Sequence, residues 1–519
     1  MSSPQHIVYL ASTSGVPVAL NITAELLARG YRTTILATSI DPLDDSVVRF
    51  KSHLNPAQLW RFSFLEDAVA AEAAASLPPS PSSASSTIRK VPGEVEIDRS
   101  AAAASVVKVA AITSDSAQED FARLHSTLIG LKPDLAIVDA AYTLAYDVVR
   151  TSQIKWALID NTGPALAAGW DQLQAEAAAT QSAHQSWFTA PHTNTKDLWR
   201  AMKGIWSTEE RTSKELTAAR PSHSSENIRN TICSERSQLF KAMLVLMPPG
   251  LHLHRTLDAF DQRCFFVGAV ANGEHEDEQQ HQPAADTAEM RFLDQAYAAG
   301  DDVVLVDLSD VAVSNAILLG IEQLHAARPN TRFLVHGLAP PPLLSTIVAA
   351  ASEDNEQGLP QSPAAIAVLK RDFLLAVTRI GDVGAVLRDP SVKAVIHEGG
   401  RFGDALAHEL PQLLIPSQLS HRSHELGLII TKFNLGLTTF ISTTSTSYPY
   451  KTTPKASARA QAAALTHDAN TLCTQLLDML EPETYDGLKA SVEHWALRSR
   501  LAGGAGACAD VVESIVGSG

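Results

Sequence analysis

Between Asp389 and Pro416 the sequence reads DPSVKAVIHEGGRFGDALAHELPQLLIP. The apolar run Val392–Ile396 has strand character and leads into His397, Gly399 and Gly400. A helical stretch, Phe402–Glu409, follows, and Pro411 opens a second apolar strand at Leu413–Ile415. Glycines at a strand-to-helix turn let backbone N–H groups approach a ligand closely, and the helix start favours a phosphate there. His397 would add a hydrogen bond or a positive charge, with Glu398 in its place if the register moves by one. Arg401 offers a cation. Asp404, in the first turn of that helix, complements its dipole. Gln418, after Pro416, either contacts hydroxyls or caps its strand. The pair His421 and His424 has i, i+3 spacing, but no carboxylate or cysteine cluster completes it, so neither a metal site nor another cofactor is expected.

A second set of reactive residues lies in the first third of the chain. The apolar run LAIV at Leu135–Val138 ends in Asp139, and a further strand at Lys155–Ile159 ends in Asp160. A carboxylate at a strand's C-terminal end is a candidate general base, or a cap on the turn that follows. The turn after HIVYLA (His6–Ala11) carries Gly15 and Val16.

Strands and helices must bring these groups together. His6–Ala11, the helical Pro17–Arg29 closed by Gly30, and the strand Thr33–Ala37 make one βαβ unit. Further strands are predicted at Val303–Val306, Arg332–Val335, Ala376–Val377 and Lys393–Ile396. The predicted fold class is α/β: two Rossmann-like halves built on parallel sheets, with ligands at strand C-terminal ends. The expected organisation is a first domain at 1–268 with an Ala/Ser/Pro-rich insertion at about 70–104, and an acidic linker at 269–290. A second domain at 291–490 carries a Ser/Thr-rich insertion at about 442–461, and a C-terminal helix at 491–519 packs back on the first domain.

The chain's 519 residues suit two domains with ample core. A net charge of −16 argues against nucleic acid or an anionic membrane as the main partner. The four cysteines, Cys233, Cys264, Cys473 and Cys508, form no ligand spacing and read as reduced thiols of a cytoplasmic protein. No apolar run reaches the roughly 18 residues of a membrane span, and no secretory signal opens the chain.

The order Asp-Pro, strand, His, Gly-Gly, acidic-Ala-Leu helix, Pro, strand resembles the donor-binding segment of family 1 nucleotide-sugar glycosyltransferases. Further matching stretches are Pro133–Asp139, Asp294–Gly300, Val377–Arg379, Ser417–Gln418, His424–Glu425, Phe433–Gly436 and Trp495–Gly504. Within that family the chain resembles the erythritol-mannosyltransferases of smut fungi, which act in glycolipid biosynthesis, a branch of secondary metabolism. The resemblance implies a GT-B fold, with two Rossmann-like domains whose parallel sheets face a cleft. It implies inverting transfer of a hexose from a UDP- or GDP-sugar to a hydroxyl of a small acceptor. The diphosphate would lie over His397, Gly399, Gly400 and Arg401, with Asp404, Ile380, Gln418 and Asp310 around the donor. Asp139 would serve the acceptor side, beside Gly15 and Val16.

The chain departs from the family pattern at defined places. Gly15-Val16 stands where the general-base histidine is usual, so Asp139 would act as base itself or orient another group. Asp307 and Asp310 replace small residues near the diphosphate and call for a compensating cation or Arg379. Ile380 replaces the aromatic residue that stacks on the base, and Ser420-His421 replaces the Asp-Gln pair that holds sugar hydroxyls. The departures define an alternative reading: a catalytically silent relative that binds a ligand or a partner.

Overall fold

The computed structural model describes residues 4–12, 15–37, 45–66, 115–140, 142–160, 239–252, 263–270, 287–308, 311–336, 373–377, 380, 382–415, 421–439 and 458–517. Thirteen strands among these residues form two separate all-parallel sheets. The first contains β1 (His6–Ala11), β2 (Arg32–Ala37), β3 (Phe62–Glu66), β4 (Leu135–Asp139), β5 (Trp156–Asp160), β6 (Phe240–Val245) and β7 (Cys264–Phe266). Their spatial order is β3-β2-β1-β4-β5-β6-β7. The second contains β8 (Asp302–Asp307), β9 (Thr331–His336), β10 (Leu374–Val377), β11 (Val392–His397), β12 (Gln412–Leu414) and β13 (Gly436–Thr438), in the order β10-β9-β8-β11-β12-β13.

The apolar runs become strands because both faces of each sheet are covered. In β1, Val8 and Leu10 enter one core cluster while Ile7, Tyr9 and Ala11 enter the cluster on the opposite face. In β8, Val304 and Val306 are similarly separated from Val303 and Leu305. In each sheet the strand order reverses at one place, between β1 and β4 and between β8 and β11. Such switch points leave a crevice outside the strand C-termini, which is where open α/β sheets bind ligands.

The end of the described chain returns to the first sheet. The helix Pro482–Ala502 sets Trp495 edge-on to Phe433, with ring centroids 5.1 Å apart. The next helix, Gly504–Gly517, places Ala505, Cys508, Ala509, Val512 and Val516 in the core cluster under β1. The join is tight: Ala269 N–H donates to Ser499 Oγ at 2.7 Å and Gly504 N–H to the Val267 carbonyl at 2.6 Å. Gly268, at φ +84°, has no room for a Cβ, which would overlap the Ser499 carbonyl.

Four strands escaped the sequence reading: β3, β6, β7 and β13. The 70–104 insertion lies outside the described residues, as does the acidic linker between 271 and 286; its last residues enter the helix Ala288–Ala299. The stretch 442–461, read as an insertion, runs into the helix Ala458–Leu480. Among the described residues no helix is long and apolar enough to cross a membrane.

Candidate active site

Polar groups gather at both switch points. In the first sheet, Asp139 ends β4 directly beside β1 and is 1% exposed. Its Oδ2 accepts a short hydrogen bond from Ser12 Oγ–H and a second from Ser12 N–H at 3.3 Å. Ser12 in turn accepts at Oγ from Gly15 N–H at 3.1 Å. Gly15 is required by this packing, since a Cβ there would overlap Asp139 Oδ2. Burial first, and then the Asp139 charge, hold the Tyr9 phenol well above its usual value. Asp160 ends the neighbouring β5 and is equally buried.

Val16 is the first residue of the helix Val16–Ala28 and is fully buried in the core cluster with Ile7, Tyr9 and Ile137. A histidine at this position would be forced into an apolar core rather than presented to a substrate. Ser12, which the sequence reading placed only in a turn, is the group that Asp139 engages. The signal was available in its position one residue beyond β1, but the spacing alone does not show the contact.

In the second sheet, Asp307 ends β8 between His336 at the end of β9 and His397 at the end of β11, in register with both. Its Oδ1 pairs with His336 Nδ1 at 2.8 Å, and its Oδ2 accepts a short bond from Arg401 Nε. Arg401 reaches Asp404 Oδ2 through Nη1 at 3.1 Å. Burial raises the Asp307 pKa, but the His336 hydrogen bond and the Arg401 charge outweigh it and leave the group at about 2. Arg401 therefore compensates Asp307. Arg379 lies outside the described residues, as do Asp310, Gln418 and Ser420, and so do the side chains of His421 and His424.

His397 is placed differently from the expectation. It is fully buried, and both ring nitrogens are engaged: Nε2 with Gln412 Oε1 at 2.9 Å, and Nδ1 accepting from Gly399 N–H at 3.0 Å. Burial depresses its pKa to about 4, so it is neutral at pH 7. It shapes the turn and presents neither charge nor a ring nitrogen outward. Glu398, half-buried, is the side chain that the turn carries next. Gly399 has φ +124°, a left-handed conformation that only glycine adopts without strain. Gly400 is exposed and a Cβ there would meet nothing within 4 Å, so the space above the turn is open. The helix that follows is short, Phe402–Ala407. Ile380 is 6% exposed and packs with Val386 and Leu387, so its side chain belongs to the core and offers no stacking face.

No protein-family model matches the chain. Over 137 residues it is 26% identical to erythritol-mannosyl-transferase 1 of Mycosarcoma maydis and 25% identical to the protein of the same name from Pseudozyma antarctica (strain T-34). Each match covers 26% of this chain but only 18% of the relative's length. Among solved structures, Phytolacca americana UGT2 complexed with UDP-2fluoro-glucose and pterostilbene aligns with a TM-score of 0.52 at 12% identity, covering all of both chains. The glycotransferase of kitacinnamycin aligns with a TM-score of 0.50 at 15% identity, over 99% of this chain and 100% of that one. At these identities the structural likeness carries the fold, and the fold is GT-B.

Proposed function

We propose that this protein is a glycosyltransferase that moves a hexose, with inversion, from a UDP- or GDP-sugar to a hydroxyl of a small acceptor in glycolipid or secondary metabolism. Residues 1–268 would hold the acceptor and residues 291–490 the nucleotide sugar. The observation that carries the reading is the buried Asp139 carboxylate, hydrogen-bonded to Ser12 at the switch point of the first sheet. A carboxylate at that place can take a proton from an acceptor hydroxyl, the one acid–base task the transfer requires. The open space over Gly400, at the switch point of the second sheet, leaves room for a leaving diphosphate. The mannosyl relatives support a mannose donor and a polyol acceptor.

The purified chain would be incubated with GDP-mannose or UDP-glucose and erythritol, and release of free nucleotide diphosphate followed. Acceptor-dependent release with either donor supports the transferase. A second reading, a silent GT-B scaffold, is favoured by Ile380 being buried and by Arg401 being held between two carboxylates. Calorimetric binding of GDP or UDP without turnover would select the scaffold. Absence of both binding and turnover would defeat the transferase and leave a scaffold for another ligand or a partner.

A further inference from the structure

The helix Phe402–Ala407, which follows the open turn at Gly400, ends in a strained residue. Glu409 has φ +60°, the left-handed conformation for which a helix C-terminus usually recruits glycine. Its N–H donates to the Leu406 carbonyl at 3.1 Å, and Leu410 N–H donates to the Ala405 carbonyl at 2.8 Å, which closes the last turn. Glycine would do this without steric cost, but the glutamate side chain has its own contacts. Glu409 Oε1 accepts from Arg500 Nη2 at 2.9 Å, and Oε2 stands 3.7 Å from Lys489 Nζ. Lys489 Nζ also donates to the Glu409 carbonyl at 2.8 Å. Both cations belong to the helix Pro482–Ala502. The residue before Arg500, Ser499, is buried and accepts at Oγ from Ala269 N–H at 2.7 Å. Ala269 in turn faces the first turn of the helix Phe402–Ala407, since a Cβ on Gly403 would stand 3.7 Å from the Ala269 Cβ. The contacts make a closed ring: Glu409, Arg500, Ser499, Ala269, Gly403. An ion pair as open to water as this one, with the Arg500 side chain 51% exposed, adds little stability, and the positive φ costs some. Stability therefore does not account for Glu409, whereas its place in the ring does.

We propose, resting on the transferase reading above, that Glu409 is a positioning residue for the nucleotide sugar. Through Arg500 and Lys489 it fixes the helix Phe402–Ala407 against the connection that leaves the first sheet. The turn at Gly399 and Gly400 and the side chain of Arg401 lie at the other end of that short helix, so they move with it. Apolar packing of Phe402 and Leu406 with Val492 and Trp495 seals the seam between the two helices, and the ion pairs set its register. The donor side is thereby held at a fixed place relative to the sheet that carries Asp139. Glu409 acts through the helix it ends and touches no reacting group.

Calorimetric affinity for GDP and UDP, the KM values for donor and acceptor, and Tm would be measured for the wild type, Glu409→Gly, Glu409→Gln, Arg500→Met and the double variant Glu409→Gly/Arg500→Met. Glu409→Gly should keep or raise Tm, because glycine takes the positive φ freely and the exposed pair contributes little. The same variant should weaken nucleotide binding and raise the donor KM by about 3–30-fold, the scale of coupling carried through a packed element, with the acceptor KM unchanged. Arg500→Met should act alike, and the double variant should be no worse than the weaker single one, since both remove one contact. Glu409→Gln keeps an oxygen for Arg500 and the carbonyl for Lys489, and should recover most of the affinity. Wild-type affinity and donor KM in both single variants overturn the positioning role and leave the transferase standing. Losses that add in the double variant, or that only follow a fall in Tm, overturn it as well. Should Glu409→Gly fail to fold, Arg500→Met, a change at an exposed side chain, decides alone. A wild type that neither binds nucleotide nor turns over removes the transferase and the positioning role together.

Discussion

Acidification should destabilise this protein through one buried histidine, in a window that can be worked out. His397 is fully buried, its ring nitrogens are taken by Gln412 and Gly399, and burial lowers its pKa from 6.5 to about 4. The Asp307 charge raises the value and the Arg401 charge lowers it, so these neighbours partly offset each other. In the unfolded chain the same imidazole protonates near 6.5. The unfolded state therefore gains a proton below that pH while the folded state cannot. The stabilisation from keeping His397 neutral is complete above pH 6.5 and is lost as pH falls towards about 4. At about 1.4 kcal/mol per pH unit, the loss across that window is about 3 kcal/mol. Urea unfolding of the wild type and of His397→Gln, followed in steps from pH 7.5 to 4, isolates the contribution, because other titrating groups cancel in the difference. The stability gap between the two should close by about 3 kcal/mol on acidification. A gap independent of pH would refute the argument. So would a ¹³C-histidine resonance that titrates near 6.5 and disappears in the variant.

Asp139→Asn should lower turnover by about 10²–10⁴-fold with nucleotide affinity unchanged; full activity would remove this carboxylate from the chemistry. Arg401→Met leaves the half-buried Asp307 with His336 as its remaining partner and should cost about 1–3 kcal/mol in chemical unfolding, with the Asp307 pKa rising from about 2. Because that pKa is depressed from 3.8, the stabilisation is present above 3.8 and is lost as pH falls through about 2. Gly15→Ala should lower stability by about 1–3 kcal/mol through overlap with Asp139, read as a fall in Tm. Gly400→Val fills the open space over the turn and should weaken GDP or UDP binding in titration calorimetry; equal affinity in wild type and variant would place the nucleotide elsewhere.

The two-sheet architecture was legible because strands buried on both faces read as unbroken apolar runs, as HIVYLA and VVLV do. β6 was missed because Lys241 interrupts its run, and β13 because three residues beginning with glycine carry no period. The residues of the candidate site were legible by type, since glycines, acids and histidines end their strands in a recognisable order. Their partners were not. Arg401 meets Asp307 across 94 positions and Ser12 meets Asp139 across 127, and such pairings depend on strand order rather than on local pattern. His397 shows the limit from the other side. Its sequence neighbours suggested a ligand contact, but the partner that settles its role, Gln412, sits on the adjacent strand.

The helix Gly504–Gly517 has a bearing on how the protein is made. It fills the core beneath β1, and Gln5 Nε2 donates to the Val516 carbonyl across 511 positions. At about 5–20 residues per second of synthesis, β1 waits on the order of 25–100 s for the residues that finish its core. Until those residues are made, the apolar face of Ile7, Tyr9 and Val16 lacks the part of its cover that they supply. The first sheet therefore cannot complete its core from the residues of its own half, and before the distant helix is made it carries exposed apolar surface of the kind that favours aggregation.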